Sequence, residues 1–282
     1  MKNVALLLVS LAACSDAASD PTTSTPPTDA GSPGDANGPD GPKLPPHVAG
    51  DCAGLGPVGT WENITPPGAD LTGFGFSHVT VVPNEPSKVY ATGDRSSLWR
   101  STDCGKTWTA VNTGTMGKEL EKGTMAIVLD PSQPNVMFTG SLYGPNGLFK
   151  STNGGVNWAE SLTPEVKKYA PYGGFVGAIS MDPDDPKHLL VAWHAECAAP
   201  YTKSCYAETT DSGVTWTLRN GDPSWAGGEG SALQFLTSDR WLFSSSSNGM
   251  WLSVDRGKTW NKVQGAQISH GAGGRSSPAH RR

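Results

Sequence analysis

Short apolar runs separated by turn residues dominate the chain from about residue 75 onward, and they recur in one order. Val79-Thr-Val-Val82 stops at Pro83. Ile127-Val-Leu129 stops at Asp130-Pro131, and Ile179-Ser-Met181 at Asp182-Pro183. Leu233 to Leu236 is a degenerate fourth copy. A second run follows each: Lys88–Ala91, Val136–Phe138, His188–Val191 and Trp241–Phe243. A third follows in turn: Leu98–Arg100, Leu148–Lys150, Cys205–Ala207 and Met250–Leu252. Runs of three or four residues bounded by Gly, Pro, Asn and Asp read as strands, since a helix needs a longer stretch of 3.6-residue periodicity.

After each third run comes the same eight-residue segment. The copies are Ser101-Thr-Asp-Cys-Gly-Lys-Thr-Trp108, Ser151-Thr-Asn-Gly-Gly-Val-Asn-Trp158, Thr209-Thr-Asp-Ser-Gly-Val-Thr-Trp216 and Ser253-Val-Asp-Arg-Gly-Lys-Thr-Trp260. Asp103, Asn153, Asp211 and Asp255 can accept hydrogen bonds from N–H groups of their own turn. Gly105, Gly155, Gly213 and Gly257 can take the positive φ of a tight turn. The closing tryptophan starts a fourth strand. Four antiparallel strands in each repeat, with a period near 50 residues, predict an all-β propeller. The segment resembles the Asp-box, or bacterial neuraminidase repeat, of sialidases, xyloglucanases, sortilin-like receptors and a photosystem assembly factor. The resemblance covers residues 58–263 and implies that these turns are structural, on the face away from any active site.

Trp61-Glu-Asn-Ile64 matches Trp108-Thr-Ala-Val111 and Trp260-Asn-Lys-Val263, so it reads as an outer strand without its three partners. Propellers of this resemblance generally have six or more blades. The Gly-rich, basic tail after Trp260 shows no strand pattern, which points to a chain shortened near Gly271, with a small closed ring of four blades as the alternative. An open row of blades should expose apolar end faces with residues such as Leu233, Phe235 and Phe243, and be prone to associate.

Composition adds a frame. The chain has 282 residues, 35 Gly, 23 Pro, 10 Trp and a net charge of −5. No basic run provides an electrostatic footprint for nucleic acid. Lys2 and the apolar run Val4–Leu11 precede Leu11-Ala-Ala-Cys14, which resembles a bacterial lipobox with Cys14 as the lipidated residue; an ordinary signal peptide is the alternative. The run is too short to span a bilayer. Ser15 in place of Asp implies, by the same resemblance, the outer membrane or cell surface of a Gram-negative bacterium. Residues 15–49 are Pro, Ser, Thr and Asp-rich and should form a disordered tether. The expected organisation is a signal at 1–14, a linker at 15–49, a propeller at 50–265 and an irregular tail at 266–282.

Four cysteines remain beyond Cys14. Cys197 and Cys205 flank one hairpin loop and should pair, leaving Cys52 for Cys104. Their spacing with His194 matches no zinc signature, so no metal or other cofactor is expected.

Candidate chemistry lies in the loops between second and third strands, with Asp94 and Arg95, Ser141 and Tyr143, His194 and Glu196, Ser246 and Asn248. The loops entering each blade add Lys118, Glu121, Tyr169, Tyr172, Trp225 and Glu229. A polar and aromatic mouth of this kind suits a carbohydrate or protein ligand, with Arg95, Tyr143, Tyr172, His194 and Trp225 as binding candidates. Val89-Tyr-Ala-Thr-Gly-Asp94 resembles the xyloglucanase segment that carries one catalytic aspartate, although Ser96-Ser97 replaces that family's Gly-Gly pair. Hydrolysis needs a second carboxylate, for which Glu196 and Glu229 are the candidates. An exo-sialidase fits less well. No Arg-Ile-Pro occurs, and Arg95, Arg100, Arg219, Arg240 and Arg256 do not assemble a triad. Three functions stay open: a non-catalytic surface binder, a glycoside hydrolase, and an assembly factor.

Overall fold

The computed structural model describes residues 52, 54–57, 59–121, 123–141, 147–170, 176–225, 232–245 and 248–263. The signal with Cys14, the linker, and the tail with Gly271 lie outside the described residues.

Four sheets of four antiparallel strands follow one another along the chain. Blade 1 holds β1 (Phe76–Val82), β2 (Glu85–Gly93), β3 (Leu98–Ser101) and β4 (Thr109–Ala110). Blade 2 holds β5 (Thr124–Leu129), β6 (Met137–Ser141), β7 (Leu148–Ser151) and β8 (Ala159–Glu160). Blade 3 holds β9 (Val176–Met181), β10 (Leu189–Trp193), β11 (Tyr206–Thr209) and β12 (Thr217–Arg219). Blade 4 holds β13 (Ala232–Thr237), β14 (Arg240–Ser245), β15 (Gly249–Ser253) and β16 (Asn261–Lys262). The sixteen strands of the described residues fall where the apolar runs predict them, up to three residues longer or shorter at the ends. One short helix, α1 (Pro164–Tyr169), starts on a proline, whose fixed φ suits the first helical turn. Among the described residues it is the only α-helix, the corresponding loop before β5 carrying a 3-10 turn at Gly117–Leu120, and no periodic signal is long enough to reveal it.

Pairing registers make the blades superimposable by sequence. Val89, Met137, Leu189 and Trp241 occupy one position of the second strand, opposite Ser101, Ser151, Thr209 and Ser253. Side chains alternate between the two faces of a strand, so each blade offers one face to its predecessor and one to its successor. Three apolar junctions result. Tyr90, Leu98, Met137 and Phe149 fill the first, Phe138, Leu148, Leu189 and Val191 the second, and Leu190, Tyr206, Trp241 and Phe243 the third. The first strands pack in succession, β1 on β5, β5 on β9 and β9 on β13, while β1 and β13 share no such junction.

Two expectations change. Leu233 and Phe243 do not lie on an open end face; both are buried against blade 3, and Phe235 packs with them, because their register turns them backward. Trp61–Ile64 forms no strand ladder, and among the described residues no three strands are left to pair with it; Ile64 lies beside Gly105 in the turn of blade 1. Both disulfides form, Cys52–Cys104 with Cα atoms 5.6 Å apart and Cys197–Cys205 at 5.9 Å.

The repeated turns join third to fourth strands and are built alike. In the third copy, Asp211 Oδ1 accepts from the N–H groups of Val214 and Thr215, and Oδ2 from the Thr215 hydroxyl at 2.6 Å. Thr209 Oγ1 accepts the Gly213 N–H at 3.0 Å. Asp103 and Asp255 repeat the pattern with Thr107 and Thr259, and Asn153 keeps the backbone half of it with Asn157. Glycine is required here for two reasons. Gly213 has φ +77°, and a Cβ there would lie 2.7 Å from Ser161 Oγ and 2.8 Å from the Phe138 ring of the preceding blade. The turn therefore seats each blade against the one before it.

Candidate functional site

The opposite end of the blades carries the loops between second and third strands. Asp94 sits just past β2 and pairs as an isolated bridge with Gly123, the residue leading into blade 2. The residue is only 8% exposed. Asp94 Oδ2 accepts the Phe74 N–H at 3.1 Å, and the Asp94 N–H donates to Gly75 O at 3.1 Å. A Cβ on Gly73 would fall 1.9 Å from Asp94 Oδ2, so the carboxylate lies directly under a glycine backbone. Thr92 and Thr124 hydroxyls meet at 2.9 Å, and Ser77 Oγ donates to Thr124 O at 3.1 Å, which ties blade 1 to blade 2 beneath this end.

The loop from β4 to β5 bounds an open concavity of about 620 Å³, whose lining does not include Asp94. Ser97, Asn112, Thr113, Lys118, Glu119 and Glu121 line it, with Met116 at its edge. Asn112 holds the loop: its Oδ1 accepts the Leu98 N–H at 3.3 Å and its Nδ2 donates to Gly117 O at 3.1 Å. Gly117 is tight against it, for a Cβ there would lie 2.1 Å from Asn112 O. Lys118 and Glu121 were expected at this mouth. Asn112, Thr113 and Glu119 were not, because their loop has no periodic pattern and is folded by a single 3-10 turn at Gly117–Leu120, and neither was Ser97 of the β2–β3 loop.

The other candidates are dispersed. Arg95 is exposed at the tip of its loop, with φ 57°. His194 is half-buried and Glu196 exposed on the β10–β11 loop, where Glu196 accepts from Lys203 Nζ at 3.1 Å. Asn248 donates through Nδ2 to Ser245 Oγ at 2.8 Å. Tyr169 packs edge-on against Tyr201 with ring centroids 5.3 Å apart. Trp225 is not at the mouth surface. It is buried, stacked on Phe243 at 3.7 Å and packed edge-on against Trp251 and Trp260, because the apolar junction between blades 3 and 4 draws the ring inward. Tyr143, Tyr172, Ser246 and Glu229 lie outside the described residues. Among the described residues, no group of three His, Cys, Asp or Glu side chains is placed to hold a metal ion.

A second polar constellation, not anticipated from sequence, lies between blades 3 and 4 near the turn after β9. His188 Nδ1 lies 3.1 Å from Asp182 Oδ2 and Nε2 3.0 Å from Glu208 Oε1. Arg219 Nε donates to Glu208 Oε2 at 2.8 Å, and Ser238 Oγ of blade 4 bridges Asp182 and Asp184, 2.7 Å from each. Phe235 and Trp241 of blade 4 face the imidazole edge-on. Burial alone would lower the His188 pKa, but the hydrogen bonds and charges of Asp182 and Glu208 outweigh it and push the group up to about 9. The only early sign was Asp182-Pro183, read as a strand end.

The fold and this end of the blades define a β-propeller similar to those of glycoside hydrolases. No family model matches the chain. It is 26% identical over 221 residues to a xyloglucanase of Hypocrea jecorina and 28% identical over 176 residues to the xyloglucanase Xgh74A of Acetivibrio thermocellus. These alignments take in 73% and 53% of this chain but only 22% and 20% of the relatives, so the chain spans about a fifth of their length. Among solved structures, an ancestral GH74 enzyme superimposes with a TM-score of 0.52 at 22% identity, covering 67% of this chain and 24% of that one. The GH74 xyloglucanase of Xanthomonas campestris also gives 0.52, at 18% identity, over 66% and 29%.

Proposed function

We propose that this propeller binds carbohydrate at the end of the blades that carries Asp94. The observation behind this reading is the concavity bounded by the β4–β5 loop, whose amide, hydroxyl, ammonium and carboxylate groups can exchange hydrogen bonds with sugar hydroxyls. The relatives named xyloglucanase support a glucan as ligand. We favour binding over hydrolysis because the Asp94 carboxylate lies under residues 73–74, and because Glu196 is engaged by Lys203. A glycosidase needs two carboxyl groups facing each other across the scissile bond.

The second reading, a glycoside hydrolase with Asp94 as one carboxyl and Glu229 as the other, rests on the sequence likeness around Asp94. Titrating the purified chain with xyloglucan and β-glucan oligosaccharides, with reducing ends followed in the same samples, separates the two. Binding that Lys118→Ala and Glu121→Ala weaken, without release of reducing ends, supports the binder. Release that Asp94→Asn abolishes supports the hydrolase, and no binding to any glycan overturns both.

The repeated turns agree with an Asp-box assignment, and we infer export with a lipid on Cys14. Mass spectrometry of the mature N-terminus, with Cys14→Ala as control, tests the anchor.

A further inference from the structure

Register equivalence exposes an anomaly at each end of the row of blades. Val79 of β1 aligns with Ile127, Ile179 and Leu233, which are 2%, 8% and 1% exposed, yet Val79 is 60% exposed. The face that blades 2, 3 and 4 bury against a predecessor is thus apolar in blade 1 and covered only in part, by residues 62–66. Blade 4 presents the complementary case. Leu242 aligns with Tyr90, Phe138 and Leu190, each fully buried against a successor, and is itself only half-buried, while Leu236 beside it is exposed.

The two open faces also match each other, and Leu242 repeats the leucine that Leu190 supplies at the third junction. At the first two inner junctions a polar side chain reaches the turn of the next blade, while at the third the equivalent positions hold Leu190 and Glu208 and the junction closes on apolar packing. Tyr90 donates to Gly154 O at 3.2 Å, and Lys150 Nζ to Ser212 O at 2.7 Å. In blade 4 the equivalents of Tyr90 and Lys150 are Leu242 and Leu252, which cannot donate. In blade 1 the equivalent of Gly154 and Ser212 is Cys104, bonded to Cys52 and lining an apolar groove of about 320 Å³ with Val79, Val89 and Ala91. Leucines without donors thus stand at one end and a disulfide-walled groove at the other.

We propose that copies of this chain associate head to tail, blade 4 of one copy seated on blade 1 of the next by the junction that each chain already makes three times internally. The occupant of the groove is a second copy because this chain itself supplies the matching face, and the new contact continues an established type of interface. Ile64 now touches Gly105 as Val111 touches Gly155. Val263, exposed after β16, is the residue that aligns with Val111. In the assembly, Val263 of the partner subunit takes the place of Ile64. Such a contact joins two different surfaces, so it closes a ring or propagates a filament.

Sedimentation of the full chain over a range of concentrations, with two variants, tests this. Val79→Asp and Leu236→Asp alter opposite ends at exposed positions, so both should fold with unchanged circular dichroism. The unaltered chain should gain mass with concentration, and each variant alone should associate roughly 100-fold more weakly. An equimolar mixture of the two should form a one-to-one dimer and stop, since each retains the face the other lacks. Ile64→Ala should strengthen association. A chain that stays monomeric at its highest soluble concentration overturns the proposal. So does association that neither substitution weakens, or a mixture that fails to pair.

Discussion

The two ends of the blades differ in how much they repeat. At the turn end, Asp103, Asn153, Asp211 and Asp255 do the same thing four times, and the following glycine always meets the preceding blade or, in blade 1, Ile64. At the other end the chain leaves the second strands differently, with Asp94 after β2, Ser141 ending β6 and His194 after β10, and the loops that follow differ in length. Repetition means that a requirement of every blade, namely hairpin closure and seating, is being met. Variation means that the residues answer to something outside the fold. For this reason the turn carboxylates, though the most regular acidic groups in the chain, are not assigned to chemistry.

The contrast breaks most visibly in the shared core. Phe138→Ala should destabilise the chain by about 3–5 kcal/mol, read from denaturant midpoints, because the ring fills the junction of blades 2 and 3. A loss below about 1 kcal/mol would mean that the junction is not packed as described.

The polar bolt between blades 3 and 4 comes next. His188→Ala leaves Asp182 and Glu208 facing each other's surroundings without the imidazolium, and should cost about 2–3 kcal/mol. Its pH signature is distinct. The folded pKa lies near 9, above the ordinary value of 6.5, so this stabilisation is complete below about pH 6.5 and is lost as pH rises through 9. Melting temperature should fall between pH 7 and 10 in the unaltered chain and less so in His188→Ala.

The turn end gives a smaller effect of opposite sign in pH. Hydrogen bonds from Thr107 and Thr259 hold the Asp103 and Asp255 carboxyls down to about 2. Asp211, where burial opposes the bonds from Thr215, also ends at about 2. Their contribution is present above the ordinary 3.8 and is lost as pH drops through 2, so acid melting should steepen between pH 4 and 2. Asp211→Asn should be milder than Asp211→Ala, since Asn153 already serves in the second copy with its backbone bond intact. Equal losses in a thermal melt would show that the Thr215 hydroxyl, and not the backbone, carries the turn.

The smallest stability effect belongs to the variable end. Lys118→Ala lines the concavity without supporting a strand and should leave the melting temperature within about 1 °C while weakening glycan binding. A large drop in melting temperature would recast the concavity as structural.

Much of the fold was legible before any coordinates because its causes are local. An apolar run closed by Asp-Pro, a Ser-x-Asp-x-Gly turn and a tryptophan each act within about ten residues, so four copies announce four blades. The site was less legible. Asp94 could be placed at a strand end, but not its cover by Gly73 and Phe74, which arrive from some 20 residues earlier. Asn112 looked like any loop residue until Leu98 and Gly117 were seen to hold it. Trp225 read as an exposed mouth aromatic because nothing near it in sequence shows that Phe243 and Trp260 come to meet it.

By itself, then, the amino-acid sequence determined strand order, turn chemistry, disulfide partners and blade number among the described residues, since these follow from period-two alternation and short-range hydrogen bonding. Only the tertiary structure decided which face of each blade is covered. Alternation states that a strand has two faces and is silent about which one finds a neighbour. Val79 and Ile127 are equivalent in every local respect; one is exposed and the other buried because blade 1 precedes Ile127 and no blade of the described chain precedes Val79. The His188 bolt was decided in the same way, by blade 4 closing over blade 3 and excluding the water that would otherwise screen its charges.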